Sequence, residues 1–394
     1  MGVAVTPAYA ESVRQQEWHL TAMKAEQMWQ TSTGKGITVA VIDTGVDDTL
    51  TDLQGHVLAG KDEAPGSPGD EHTDYDGHGT TMALLIAGTG KGNGGDGTFG
   101  LAPGAGILPV RMPDRGWDAG RYNKEFNQTL SSAIRYAADS GAQVINISMG
   151  ASKGSEQLSS AVTYALDKGS LVFAAVGNSG AGGNQVEYPA ATPGVVGVGS
   201  VGKDLRRTGE SEYGPQVDIA APGDEMYHSC PNGKDLCRSH GTSDATALAS
   251  ASAALVWSKH PTWTNNQVLR VMLNTIGAPT NGAKRNDSIG YGIVRPRIAL
   301  QNPGHPGPAG EYPLPDLAGA QASASPSSKA SDASDSSAAG APAKEGNLPA
   351  SASPSGGSGS GSRVPWIGLA VGSAVVLGAG AMVLAVRRRK RGHA

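Results

Sequence analysis

Cysteine is nearly absent from this 394-residue chain, which carries two, and so are phenylalanine, with three, and net charge, at −4. Two cysteines are too few for a small scaffold stapled by several disulfides. Their spacing, Cys230-Pro231-Asn232-Gly233-Lys234-Asp235-Leu236-Cys237, offers no third or fourth ligand and so makes a poor zinc site. The near-neutral balance gives no general reason to expect a nucleic-acid partner. At 17% charged residues the chain is not a disordered polyelectrolyte either. Aromatics reach only 5%, which suits a glycine- and alanine-rich α/β core with tight turns. The glycine-rich stretch 88–100 lacks the Gly-Lys-Ser/Thr ending of a phosphate-binding loop and is expected to be a surface turn. No internal repeat is visible.

The two ends differ in character from the middle. Residues 1–10 are small and apolar and close on Ala8-Tyr9-Ala10, an A-x-A cleavage pattern without the charged region that belongs upstream of it, so a remnant of a signal peptide is expected there. From 302 to 363 the chain is mostly Pro, Ala, Ser and Gly, a composition that forms no core and reads as a solvated tether. About sixty such residues have a root-mean-square span near 40–50 Å. Residues 364–386 then run almost without interruption through apolar side chains, and about 22 residues make roughly 33 Å of helix, enough to cross a bilayer. Trp366 stands at one edge and Arg387-Arg388-Arg389-Lys390-Arg391 at the other. The positive-inside rule places the tail, 387–394, in the cytoplasm and everything before the span outside the plasma membrane. In such an exported domain, Cys230 and Cys237 are expected to form a disulfide, worth about 2.5 kcal/mol by loop entropy.

Between these ends, residues 11–301 alternate strand-like and helix-like patterns. Helices are predicted over 17–30, 80–87, 129–140, 155–168, 242–259 and 265–273. Strands are predicted over 37–42, 107–111, 144–148, 171–176 and 195–201. Apolar β-branched runs separated by helices of 10–15 residues indicate βαβ units and a doubly wound, mostly parallel α/β sheet with helices on both faces. In such sheets the ligand crevice lies at the carboxyl ends of the strands. Asp43, Ser148 and Asn178 all fall at or just past predicted strand ends, on one rim.

Three glycine-flanked turns carry the chemistry. Val41-Ile42-Asp43-Thr44-Gly45, Asp76-Gly77-His78-Gly79-Thr80 and Gly241-Thr242-Ser243 supply an Asp, a His and a Ser in that order. A serine hydroxyl is a weak nucleophile until a neighbouring imidazole takes its proton, and a carboxylate fixes the imidazole's tautomer. Taken singly each residue has an ordinary structural explanation. Together, in these contexts, they point to a nucleophilic serine.

These blocks, with Gly100-Leu101-Ala102-Pro103-Gly104-Ala105, Val144-Ile145-Asn146-Ile147-Ser148-Met149-Gly150 and Ala174-Ala175-Val176-Gly177-Asn178-Ser179-Gly180, resemble those of the subtilisin-like (S8) serine peptidases. The resemblance runs from about Trp18 to Gln301. With the tether and C-terminal span, the layout is similar to the membrane-anchored mycosins of type VII secretion. The resemblance implies a subtilisin-like fold and an endopeptidase acting on polypeptides through an acyl-enzyme. Asp43 is then the orienting carboxylate, His78 the general base and Ser243 the nucleophile. Asn178 becomes an oxyanion donor beside the Ser243 N–H. Ser148, Met149 and Gly150 match the edge that pairs with an extended substrate, and Ala175, Val176 and Gly177 match the side of the specificity pocket. The chain departs from the family's Gly-Thr-Ser-x-Ala-x-Pro in having Ala247 for the proline and Asp244 next to the serine, which bears on specificity and pH response. Many relatives bind calcium. Here Asp47, Asp48 and Asp52 lack a recognisable ligand spacing and are expected to be exposed loop acids, so no metal or cofactor is expected. The layout implies a type VII secretion complex as a partner, and the competing reading is a scaffold in that complex with incidental peptidase activity.

Overall fold

The computed structural model describes residues 12–113, 121–230 and 235–317. Three short helices come first: α1 (Val13–Gln16), α2 (Trp18–Met23) and α3 (Ala25–Trp29). The sequence predicts one helix over 17–30, and the chain instead turns at Lys24, whose φ of 61° is left-handed. The break costs a non-glycine residue about 1–2 kcal/mol, and both Leu20 before it and Met28 after it reach the core.

The main body follows as β1 (Thr38–Asp43), β2 (Lys61–Asp62), α4 (His78–Ala87), β3 (Gly106–Arg111), α5 (Tyr122–Asp139), β4 (Val144–Ile147), α6 (Glu156–Asp167), β5 (Leu171–Ala175), β6 (Val196–Val201) and β7 (Ile219–Pro222). A hairpin, β8 (Met226–Ser229) and β9 (Leu236–Ser239), leads into α7 (Thr242–Lys259), and α8 (Asn265–Asn274) and α9 (Pro296–Gln301) close the order. Seven strands form one parallel sheet in the order β2-β3-β1-β4-β5-β6-β7. The expected α/β architecture is therefore present. β1 lies between β3 and β4, with Ala40 opposite both Leu108 and Ile145. The chain runs from β1 out to β2 at the sheet edge, back to β3, and then across β1 to β4. A reversal of this kind is where such sheets place a ligand crevice, at the carboxyl ends of the strands.

Strand side chains alternate between two cores. Val39 and Val41 of β1, and Leu171 and Phe173 of β5, pack with α4, α7 and α8. Ala40, Ile42, Val172 and Ala174 pack on the opposite face with α5 and α6, against Phe126, Ile134, Leu158 and Val162. Both faces are covered, which is why these strands are apolar throughout instead of alternating. Helix α7 is buried along 242–257. A helix apolar or small all round belongs inside, and its run of alanines lets it lie close under β4 to β7.

The short β7 and the β8–β9 hairpin have no counterpart in the sequence prediction. The hairpin pairs His228 with Cys237, and the Cys230–Cys237 disulfide, with Cα atoms 4.9 Å apart, closes it. Residues 302–317, assigned by composition to the tether, lie against the domain. Tyr312 donates to the Gly194 carbonyl at 2.9 Å, Asp316 accepts from the Gly194 N–H at 2.8 Å, and Arg270 donates to the Pro306 and Pro308 carbonyls. Leu314 is buried. Among the described residues no helix is long and apolar enough to cross a membrane. The expected leader remnant 1–10, span 364–386 and tail 387–394 lie outside the described residues, as does the tether beyond 317.

Candidate active site

β1 ends at the crevice on Asp43, which is fully buried. Its Oδ1 lies 2.7 Å from His78 Nδ1 and accepts the Thr44 N–H at 2.8 Å. His78 opens α4, and the approach of the two elements depends on Gly79. A Cβ there would sit 2.2 Å from the Gly45 carbonyl oxygen and 3.0 Å from Asp43 Cβ. Asp43 is the main cause that holds the His78 pKa above its ordinary value, with burial opposing it and Asp244 and Asp76 adding smaller pulls upward. Asp244, which contributes to that upward pull, directly follows Ser243 at the start of α7.

Gly241, with φ of 133°, turns the chain into α7, so Ser243 sits in the first helical turn, where backbone N–H groups have no intrahelical acceptor. The Ser243 hydroxyl donates to the Ser148 carbonyl at 3.3 Å, and the Ser148 hydroxyl returns a bond to the Ser243 carbonyl at 3.3 Å. Asn178 lies past β5. Its Oδ1 accepts from the Thr242 N–H at 2.9 Å and the Thr242 hydroxyl at 3.1 Å. These bonds fix the orientation of the Asn178 amide beside Ser243.

A cavity of about 260 Å³ opens beside Ser243, walled by Ser148, Met149, Gly150, Ala175, Gly177 and Asn178. Glu187 and Ser179, which the sequence reading did not select, line it as well. Val176 does not. Its side chain is fully buried in the core against α5 and α6, because strand alternation turns it the same way as Val172 and Ala174. A larger, mainly apolar cavity of about 570 Å³, walled by Trp18, Pro222, Pro279 and Ile298 among others, contains none of Asp43, His78, Asn178 or Ser243.

Two supporting networks also escaped the sequence reading. Asp74 accepts from the Thr44 hydroxyl at 2.8 Å, the Gly77 N–H at 2.8 Å, and the Thr80 N–H and hydroxyl at 2.9 and 2.6 Å. It thereby ties the residue after Asp43 to the turn that carries His78. Its only sequence signal was an acid just before a helix start, where a negative charge is favoured. Asn146, buried in β4, donates to the Ser148 hydroxyl at 3.1 Å and accepts from Ser250 of α7 at 2.9 Å. An asparagine inside an apolar strand needs such partners, and that was its signal.

Asp244 is buried and accepts a hydrogen bond from Ser239 of β9, and burial raises its pKa to about 6. The disulfide-closed hairpin thus meets the residue next to the candidate nucleophile. Ala247 is buried inside an unbroken α7, so the lost proline leaves the fold intact. The three acids weighed for calcium do not converge. Asp52 is buried rather than exposed, and its carboxylate accepts from the Gly92 N–H at 2.7 Å, the Thr98 N–H at 3.1 Å and the Ser229 hydroxyl at 3.1 Å, anchoring the glycine-rich loop. Asp47 caps its own turn through Thr49. Among the described residues no group of three or more His, Cys, Asp or Glu side chains is placed to hold a metal ion.

The chain is similar to known proteins in sequence and in fold. The profile of Peptidase_S8, the subtilase family, matches residues 34–292. Subtilisin NAT of Bacillus subtilis subsp. natto is 36% identical over 263 residues, which cover 66% of this chain and 65% of that protein. The chain thus spans 65% of the length of that curated relative. Among solved structures, MycP1 from Mycobacterium smegmatis is similar with a TM-score of 0.65 at 28% identity, covering 77% of this chain and 89% of its own. A chain in the periplasmic assembly of the ESX-5 inner membrane complex is similar with a TM-score of 0.66 at 28% identity, covering 79% of this chain and 89% of its own.

Proposed function

The chain belongs to the subtilase family of serine peptidases, and from that premise we propose that it hydrolyses peptide bonds with Ser243 as nucleophile, His78 as general base and Asp43 as the carboxylate that orients the base. The observation that carries the reading is the 2.7 Å contact of buried Asp43 with Nδ1 of His78, at the crevice where β1 and β4 end. That contact keeps a proton on Nδ1 and leaves Nε2 as the acceptor for the serine proton. An extended peptide adds to the edge formed by Ser148, Met149 and Gly150. The Ser243 hydroxyl leaves its bond to the Ser148 carbonyl, transfers its proton to His78 and forms the new C–O bond. The carbonyl oxygen takes up the negative charge facing Asn178 Nδ2 and the Ser243 N–H. His78 then passes its proton to the leaving amine, and water releases the acyl group by the same steps in reverse order.

A fluorophosphonate probe tests this. The full chain should be labelled once, at Ser243, and the Ser243→Ala protein not at all. A folded chain that takes no label, or takes it elsewhere, overturns the reading.

We further propose that the enzyme is displayed outside the plasma membrane, held by residues 364–386, beside a type VII secretion complex. The apolar span with its basic flank supports the anchoring. The likeness to MycP1, a protein of the ESX-1 type VII secretion system, and to a chain of the ESX-5 periplasmic assembly supports the association. The second of these likenesses also favours a scaffolding role, since that chain was solved as part of an assembly. Complementation separates the two: if Ser243→Ala restores secretion as fully as the unaltered chain, scaffolding carries the phenotype.

A further inference from the structure

The cavity next to Ser243 has an acidic wall. Glu187 lines it, and the Glu187 carboxylate lies against the edge segment, since a Cβ on Gly150 would fall 2.5 Å from its Oε2. A second carboxylate, Glu212, stands behind Gly177. A Cβ at Gly177, where φ is 110°, would fall 2.5 Å from Glu212 Oε1. Glu212 is fully buried; its Oε1 accepts from the Ser179 hydroxyl at 2.6 Å, and its Oε2 has no hydrogen-bond partner. Among the described residues no lysine or arginine pairs with either acid.

Burial and the neighbouring Glu212 push the Glu187 carboxyl up to about 7, and burial raises Glu212 too. Two carboxylates held near each other without a counter-ion are poorly stabilised, and an entering cation supplies what both lack. A neutral side chain leaves the acids unpaired, and an acidic one adds repulsion. Lysine and arginine also carry long apolar stems that suit the Ala175 and Met149 walls. We propose that Glu187, backed by Glu212, makes this cavity a cation pocket, so that the enzyme cleaves after lysine or arginine. The cleavage part rests on the peptidase reading above; the cation pocket does not.

Two measurements keep these apart. In the full chain carrying Ser243→Ala, binding of benzamidine is compared with binding of neutral benzamide, a contrast that needs no catalysis. Benzamidine should bind at least tenfold tighter, and Glu187→Gln should remove most of that advantage. Equal binding of the two, or an advantage that survives Glu187→Gln, overturns the cation pocket whether or not Ser243 is a nucleophile. In the unaltered chain, peptides differing only in the residue before the cut should show kcat/KM for lysine or arginine about a hundredfold above leucine. A preference for leucine or alanine overturns the specificity while leaving the peptidase reading standing. Both comparisons are informative with the unaltered residue 187, so neither depends on Glu187→Gln folding.

Discussion

Replacing Asp43 by asparagine isolates one interaction with little change of shape. The carboxylate is fully buried and its Oδ1 sits 2.7 Å from His78 Nδ1. When the imidazole takes the serine proton, the new positive charge faces this carboxylate. At an effective dielectric of about 20 and about 4 Å between charge centres, the attraction is about 4 kcal/mol, roughly a thousandfold in rate. An asparagine amide also donates to Nδ1, which favours the tautomer whose Nε2 carries a hydrogen and cannot accept the serine proton. The corresponding substitution in another serine protease costs about 10⁴ in kcat. Asp43→Asn should therefore lower kcat by about 10³ to 10⁴ on a peptide amide near pH 10, where His78 is neutral in both proteins, with KM changed far less. In the same protein the His78 pKa, followed by NMR of the imidazole, should fall from its raised value toward the ordinary 6.5. A kcat within tenfold of the unaltered enzyme, or an imidazole pKa that does not move, refutes the reasoning.

The pH profile follows from the same pair. His78 works as a base only when neutral and its pKa is raised, so kcat/KM should climb as pH rises past 6.5 toward about 9 and level off on the alkaline side. Asp244 adds to that upward pull, so Asp244→Asn should move the climb to lower pH; an unmoved midpoint means that its charge does not reach the imidazole. The pair's contribution to stability is fully present below the unfolded pKa of about 6.5 and fades as pH rises through the folded value. Thermal unfolding should thus show Asp43→Asn more destabilising at pH 6 than at pH 10, and an equal loss at both would argue against the ion pair. Asn178→Ala should lower kcat by about 10² to 10³ with little effect on KM, the range for the equivalent donor in a subtilisin; a loss confined to KM would make it a binding residue only. Replacing both Cys230 and Cys237 by serine should lower stability by about 2.5 kcal/mol on the loop-entropy estimate, read by denaturant unfolding, and no change in midpoint would contradict it.

How much was legible in advance depended on whether a residue's role was local. Asp43, His78 and Ser243 announce themselves because each must sit in a glycine-bounded turn at an element's end, and those turns are contiguous in sequence. The strands were readable because both sheet faces are covered, which leaves unbroken apolar runs. Strand parity was readable too, yet the family pattern drew Val176 into the pocket when its alternation with Val172 and Ala174 turns it into the core. Glu187 and Glu212 were not legible, and Asp74 and Asn146 gave only a general signal without a partner, because each acts on a residue that only folding brings near. The same holds for 302–317: Tyr312 and Leu314 are sparse anchors in a tether-like composition, and their acceptors and neighbours lie far back in the chain. Asp52 looked like one of three loop acids, whereas the backbone N–H groups that fix it lie 40 and 46 positions away.

The central claim is that the hydroxyl of Ser243 becomes covalently acylated during turnover. Mixing the full chain with an activated ester substrate, quenching in acid within milliseconds and mapping the adduct by mass spectrometry tests it directly. The account predicts one acyl group per active chain, located on Ser243 and absent from Ser243→Ala. Product formation with no acylated intermediate, or with the acyl group on any other side chain, would contradict it.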